Sequence, residues 1–91
     1  MAVLLITYDL NRERSGTDRD GLLKFIKSHD WAKLSESSYA IISNLSPQSV
    51  TDQARKYLDA NDNIYVINLK QPYGGWGPKV VNDWIERNLP Y

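Results

Sequence analysis

Apolar positions open the chain in an almost unbroken run, Ala2-Val3-Leu4-Leu5-Ile6-Thr7-Tyr8-Asp9-Leu10, that breaks at a carboxylate. Apolar residues on both alternating sets predict a strand covered on both faces, hence the centre of a sheet. The period then changes. Leu22, Leu23, Phe25 and Ile26 recur at helical spacing while Lys24 and Lys27 point away. This predicts a helix capped by Ser15 or Thr17, with Asp18 and Asp20 in its first turn and an end near His29. From Trp31 to Ser43 β-branched and aromatic residues return, predicting one bent strand or two short ones that break near Glu36–Ser38. Ser46-Pro47 starts a second helix as cap and first helical residue, and Val50, Ala54, Tyr57 and Leu58 form its buried stripe. A turn over Asp59-Ala60-Asn61-Asp62-Asn63 leads to a strand from Ile64 to Lys70, again apolar on both faces except at Asn68. Residues 70–78 form a Gly/Pro-rich loop, and Pro78 starts a last helix over 79–89 with Val80, Val81, Trp84, Ile85 and Leu89 on one side.

The order β-α-β-β-α-β-α, with right-handed crossovers on four strands, predicts an α+β fold: a ferredoxin-like βαββαβ sandwich with an additional C-terminal helix. Residues 1–91 form a single domain, because one chain of this length has no room for two cores. In this architecture two helices cover one sheet face. The other face then needs the C-terminal helix, a second protomer, or both, and both are expected, since a bare apolar sheet face marks an interaction site.

Composition narrows the chemistry. The chain has no cysteine, which removes disulfides and thiolate sites. No apolar stretch approaches the roughly 20 residues that span a bilayer, and no basic segment precedes the first apolar run, so a cytoplasmic protein without a membrane partner is expected. Eleven basic residues balance eleven acidic ones, which argues against a dedicated nucleic-acid binder with a broad basic face. Arg12, Arg14 and Arg19 nevertheless cluster after the first strand, and a local patch coexists with zero net charge.

Tyr8-Asp9-Leu10 closing the first strand, the run Ala32-Lys33-Leu34-Ser35-Glu36-Ser37-Ser38-Tyr39-Ala40-Ile41, the Asp59-Ala60-Asn61-Asp62 turn and the helix bearing Trp84 resemble the small bacterial and phage chains called SinR-like. These belong with the CRISPR-associated Cas-two proteins and the VapD toxins. The resemblance covers nearly the whole chain up to Lys70. It implies a ferredoxin-like homodimer in which Asp9 of each protomer faces its mate, a position that holds magnesium for phosphodiester cleavage in some Cas-two proteins. Others are non-catalytic scaffolds on DNA. The chain departs from the family where a glutamine-x-serine-valine-phenylalanine pattern is replaced by Glu36, Ser38, Tyr39 and Ala40. It departs again where a Gly-rich loop and helix stand in place of a swapped C-terminal strand.

Each candidate residue has a structural reading beside the functional one. Asp9 either ligates Mg²⁺, which needs only one or two protein carboxylates and so suits a pair across a two-fold axis, or bonds backbone amides in the following turn. Ser35, Ser37 and Ser38 can meet phosphate, with Ser38 the family match. Solvent-facing or bulge roles suit them better, because no His or Lys stands beside them to activate a hydroxyl. His29, the only histidine, is either a general base or a cap on the carbonyls at a helix end, and the cap is preferred. Arg12 and Arg14 either bind phosphate or belong to a solvated mixed-charge loop with Glu13 and Asp18. Trp76, near Tyr73, is either a stacking platform for nucleic-acid bases or a latch tucked against the core, and the latch is preferred. Trp31 and Trp84 read as core or interface residues.

Two functions follow. The first is a dimeric, non-catalytic interaction or nucleic-acid-associated module. The second is a Mg²⁺-dependent, ribonuclease-like endonuclease using Asp9 from both protomers. The neutral charge, the single acid and the altered second strand favour the first.

Overall fold

The computed structural model describes residues 1–10 and 17–91. It is an α+β fold of four strands and three helices: β1 (Ala2–Asp9), α1 (Arg19–Ile26), β2 (Asp30–Ser35), β3 (Ser38–Ser43), α2 (Pro47–Ala54), β4 (Asn63–Leu69) and α3 (Lys79–Asn88). The strands form one sheet in the order β2-β3-β1-β4, and every neighbouring pair is antiparallel. The leading strand is central, as its continuous apolar character predicts, and β2 and β4 are the edges. The Trp31–Ser43 segment is two strands, parted at Glu36 and Ser37, with a register shift between Lys33 and Ser35.

Local chemistry sets the ends of the helices. Ser46 caps α2 by accepting from the Ser49 amide at 3.1 Å, with Pro47 in the first turn. Beyond Ala54 the chain tightens into a 3-10 turn over Arg55–Tyr57, so Tyr57 and Leu58 lie past the α-helix that their spacing predicted. Asp18, not Thr17, caps α1 and accepts from the Gly21 amide at 2.9 Å, and Ser15 lies outside the described residues. The Thr17 hydroxyl donates instead to Asp62, tying the start of α1 to the turn before β4. Gly21 is required here: a Cβ would run into the Asp18 carboxylate and come within 2.6 Å of the Tyr57 ring. The α-helix ends at Ile26, three residues before His29.

Strand alternation sends the two sets of side chains to opposite faces. Leu4, Ile6 and Tyr8 of β1, with Tyr39 and Ile41 of β3, are buried together with Leu22 and Ile26 of α1 and Val50 and Ala54 of α2. On the reverse face a second, smaller core joins Val3, Ala32 and Ala40 to Trp84 and Leu89 of the C-terminal segment. Trp84 is anchored by its indole N–H, which donates to Asp30 Oδ1 at 2.9 Å. Val80, expected on the apolar side of α3, is 75% exposed, because that helix covers only one end of the sheet.

Candidate functional site

The reverse face is where β1 delivers its odd-numbered side chains. Val3 is buried beneath α3, Leu5 and Thr7 are half-buried, and Asp9 is exposed at the strand end. Their partners across β4 are Leu69, Ile67, Tyr65 and Asn63, in that order. Across β3 the partners of Val3, Leu5 and Thr7 are Ile42, Ala40 and Ser38. Cover by α3 therefore gives out along the strands, and past it Tyr65 is 67% and Ile67 51% exposed. Apolar side chains at this exposure on a sheet face form a patch that water does not favour. The expectation that β4 is covered on both sides holds only near Leu69.

Under the edge of α3 lies a largely apolar cavity of about 250 Å³. Val3, Leu5 and Ala40 form its floor, and Trp84, Ile85 and Leu89 its roof. Leu34 and the start of the Gly-rich loop, Tyr73 and Gly74, border it. The loop is held in place by three bonds: Tyr73 hydroxyl donates to Glu86 Oε2 at 2.7 Å, the Gln71 amide donates to the Pro90 carbonyl at 2.6 Å, and Asn82 Nδ2 donates to the Gly77 carbonyl at 3.0 Å. The Glu86 bond pushes the exposed Tyr73 phenol above its ordinary pKa. Two residues past the cavity rim, Trp76 is fully exposed. The latch expected of it is not formed, and the cavity beside it is left open.

Asp9 is exposed at the far end of this face, its backbone paired with Asn63 and its carboxylate without a hydrogen bond among the described residues; the following turn that the amide-bonded alternative needs lies outside the described residues from Asn11 onward. Thr7 and Ser38, two positions inward, satisfy each other through hydroxyl oxygens 3.1 Å apart. Asp9 and Ser38 thus share one face and one end of it, whereas the cavity begins at Leu5, about 13 Å back along the strand at the usual rise. Arg12 and Arg14 lie outside the described residues. Among the described residues no three acidic or histidine side chains converge to hold a metal. Mg²⁺ held at Asp9 would need further oxygen ligands, which another copy and waters could supply.

The remaining candidates take structural roles. His29 Nδ1 lies 3.1 Å from the carbonyl oxygens of both Phe25 and Ile26, capping the end of α1, and its ring meets Phe25 edge-on. Ser35 Oγ accepts from the Ser37 amide in the β2–β3 turn. Trp31 packs edge-on against Tyr39 at 5.8 Å, with the Lys27 ammonium 5.0 Å over its ring. Leu34, Tyr65 and Ile67 are the surface residues that periodicity did not single out. Their signal is topological: in the β-α-β-β-α-β order β4 falls at an edge, where a strand apolar on both faces keeps one of them open. No helix among the described residues is long and apolar enough to cross a membrane. No protein-family model matches the chain, and no solved structure matches it.

Proposed function

We propose that this chain is a self-associating interaction module of the ferredoxin-like kind, related in design to the Cas-two and VapD proteins, which works as a homodimer in association with nucleic acid. Two interleaved crossovers support the ferredoxin-like reading: α1 carries the chain from β1 past β3 to β2, and α2 carries it from β3 past β1 to β4. The observation that carries self-association is the half-covered sheet face, with Tyr65 and Ile67 exposed in line with the half-buried Leu5. A two-fold axis over that face would bury the patch against itself. Nucleic acid would be drawn by the charge of Arg12 and Arg14, which follow β1 in the sequence. Sedimentation equilibrium tests the core of this reading. A dimer is expected for the natural chain, and a folded monomer for the double variant Tyr65→Lys, Ile67→Lys. A monomer at every concentration of the natural chain overturns it. Salt-dependent retardation of single-stranded RNA or DNA without cleavage is expected; no retardation at low salt removes the nucleic acid and leaves the dimer.

A second reading, a Mg²⁺-dependent endonuclease, is favoured by one observation: Asp9 is exposed and unengaged among the described residues, at the end of a rigid central strand. When bound between two copies, the ion would neutralise phosphate charge and acidify an attacking water. Cleavage of RNA or DNA that needs Mg²⁺ or Mn²⁺ and disappears in Asp9→Ala supports it. Absence of metal-dependent cleavage on every substrate sinks it.

A further inference from the structure

We infer that Trp76 is the reciprocal anchor of the homodimer: the indole of each copy enters the cavity beneath α3 of the other. This rests on the self-association reading and assigns it a lock. The chain carries a plug and a socket that do not meet within one copy. Trp76 is fully exposed, yet Gly74, two residues before it, borders a cavity of about 250 Å³ walled by Val3, Leu5, Trp84 and Leu89. An apolar cavity of about 150 Å³ accommodates benzene, so this one has room for the bicyclic indole.

The position of the plug suits exchange better than self-closure. The residues flanking the loop are pinned, Tyr73 to Glu86 and Gln71 to Pro90, while a Cβ at Gly74 would meet nothing within 4 Å. The segment thus stands clear of its own sheet. In an isologous dimer the same patch is used on both sides, so a plug beside a socket on one copy faces a socket beside a plug on the other.

Area agrees with this occupant. A large aromatic side chain buries about 150–250 Å². At the observed exposures Trp76, Tyr65 and Tyr73 together supply roughly 450 Å², over half of the roughly 800 Å² that a stable interface takes from each partner. Ile67 and Leu34, at 51% and 38% exposure, extend the same surface. A fully buried tryptophan at the centre of an interface is a common hot spot, ringed by contacts that exclude water.

Sedimentation velocity over a range of concentrations tests the exchange. Trp76→Ala, an exposed substitution that leaves the fold intact, is expected to weaken dimerisation by about 100-fold or more. Leu34→Trp, which fills the cavity from its rim, is expected to weaken it comparably. Mixing the two variants restores one plug in one open socket, so the heterodimer forms more tightly than either homodimer. In a Trp31→Phe background, indole emission shifts to the blue as concentration rises through the dimerisation range. Dimerisation equally tight in Trp76→Ala overturns the exchange and leaves self-association standing. A mixture no tighter than its components also overturns it. Blue emission from Trp76 in the monomer at every dilution, read as the difference between that background and its Trp76→Ala form because buried Trp84 also emits, shows the indole closing its own cavity, which overturns it as well. A natural chain that never dimerises removes both the exchange and the reading beneath it.

Discussion

On one face of the sheet Leu4, Ile6, Tyr8, Tyr39 and Ile41 are buried under α1 and α2. Their immediate neighbours along the same strands, turned to the other face, pass from buried Val3 through half-buried Leu5 and Thr7 to exposed Asp9. The backbone is shared, so the difference comes from what lies above it. Two helices capped at Asp18 and Ser46 seal the first face. One helix, reached through a Gly/Pro-rich loop, covers an end of the second. A small domain has little stability to spare, and here one face carries most of it. The other face is thereby free to hold an incomplete core, and that is where a cavity, exposed aromatics and an exposed acid are found.

The sharpest way to break this comparison is to cut the same kind of side chain on each face of β1. Ile6→Ala removes a fully buried side chain between the sheet and its two helices and is expected to cost about 2–4 kcal/mol. Leu5→Ala, one residue away and half-exposed at the cavity, is expected to cost roughly 1 kcal/mol or less. Urea unfolding at the lowest workable protein concentration keeps any association out of the measurement. Equal losses would show that α3 completes the second core as fully as α1 and α2 complete the first.

Next in size is the anchor of α3. Trp84→Phe takes away the indole N–H bonded to Asp30 and part of the ring volume packed on Val3 and Ala40, at an expected cost of about 1–3 kcal/mol. Hydrogen exchange separates the two faces here. Amides of α3 are expected to lose protection while those of α1 and α2 keep theirs, because the helices rest on opposite sides of the sheet. A uniform loss of protection would instead tie both faces into one cooperative unit.

The two faces were unequally legible in the sequence. The helix-covered core followed from periodicity: the 3.6-residue stripe through Leu22 and Ile26, the Ser46-Pro47 start, and the apolar run that fixes β1 at the centre. His29 as a cap and Ser35 as a turn residue followed from ordinary local chemistry. Contacts distant in sequence defeated the finer reading. Asp18 rather than Thr17 caps α1 because the Thr17 hydroxyl is taken by Asp62, distant in sequence. Trp76 stands in solvent rather than against the core, and Val80 is left exposed, because how far a terminal helix reaches over a sheet depends on tertiary geometry that no residue pattern encodes. Asp9 was readable as a strand-end acid, and the turn that would bond it runs outside the described residues.

The smallest expected effect uses two tyrosines whose phenols are both held above the ordinary pKa of 10.0, for different reasons. At Tyr8 the chief cause is burial beside the helix-covered core, with Tyr39 adding to it and Arg19 opposing it; its hydroxyl donates to the Glu36 carbonyl at 3.4 Å. At Tyr73 it is the Glu86 hydrogen bond on the open side, where the residue is exposed. A raised folded pKa means that above about pH 10 the unfolded chain sheds this proton before the native state does. The native state then binds more protons, and stability falls as pH climbs toward the folded value. Below pH 10 this contribution is complete and flat. Tyr8→Phe is expected to cost about 0.5–1 kcal/mol at pH 7, where a long hydrogen bond is lost. That deficit should shrink or reverse between pH 10 and 11, because the variant no longer carries the titrating group. Tyr73→Phe should leave the alkaline dependence nearly unchanged, since solvent screens its bond. Urea midpoints for the three chains at pH 7, 9.5 and 11 decide the matter: parallel curves would mean that Tyr8 is no more isolated from water than Tyr73, and the contrast between the two faces would lose its electrostatic half.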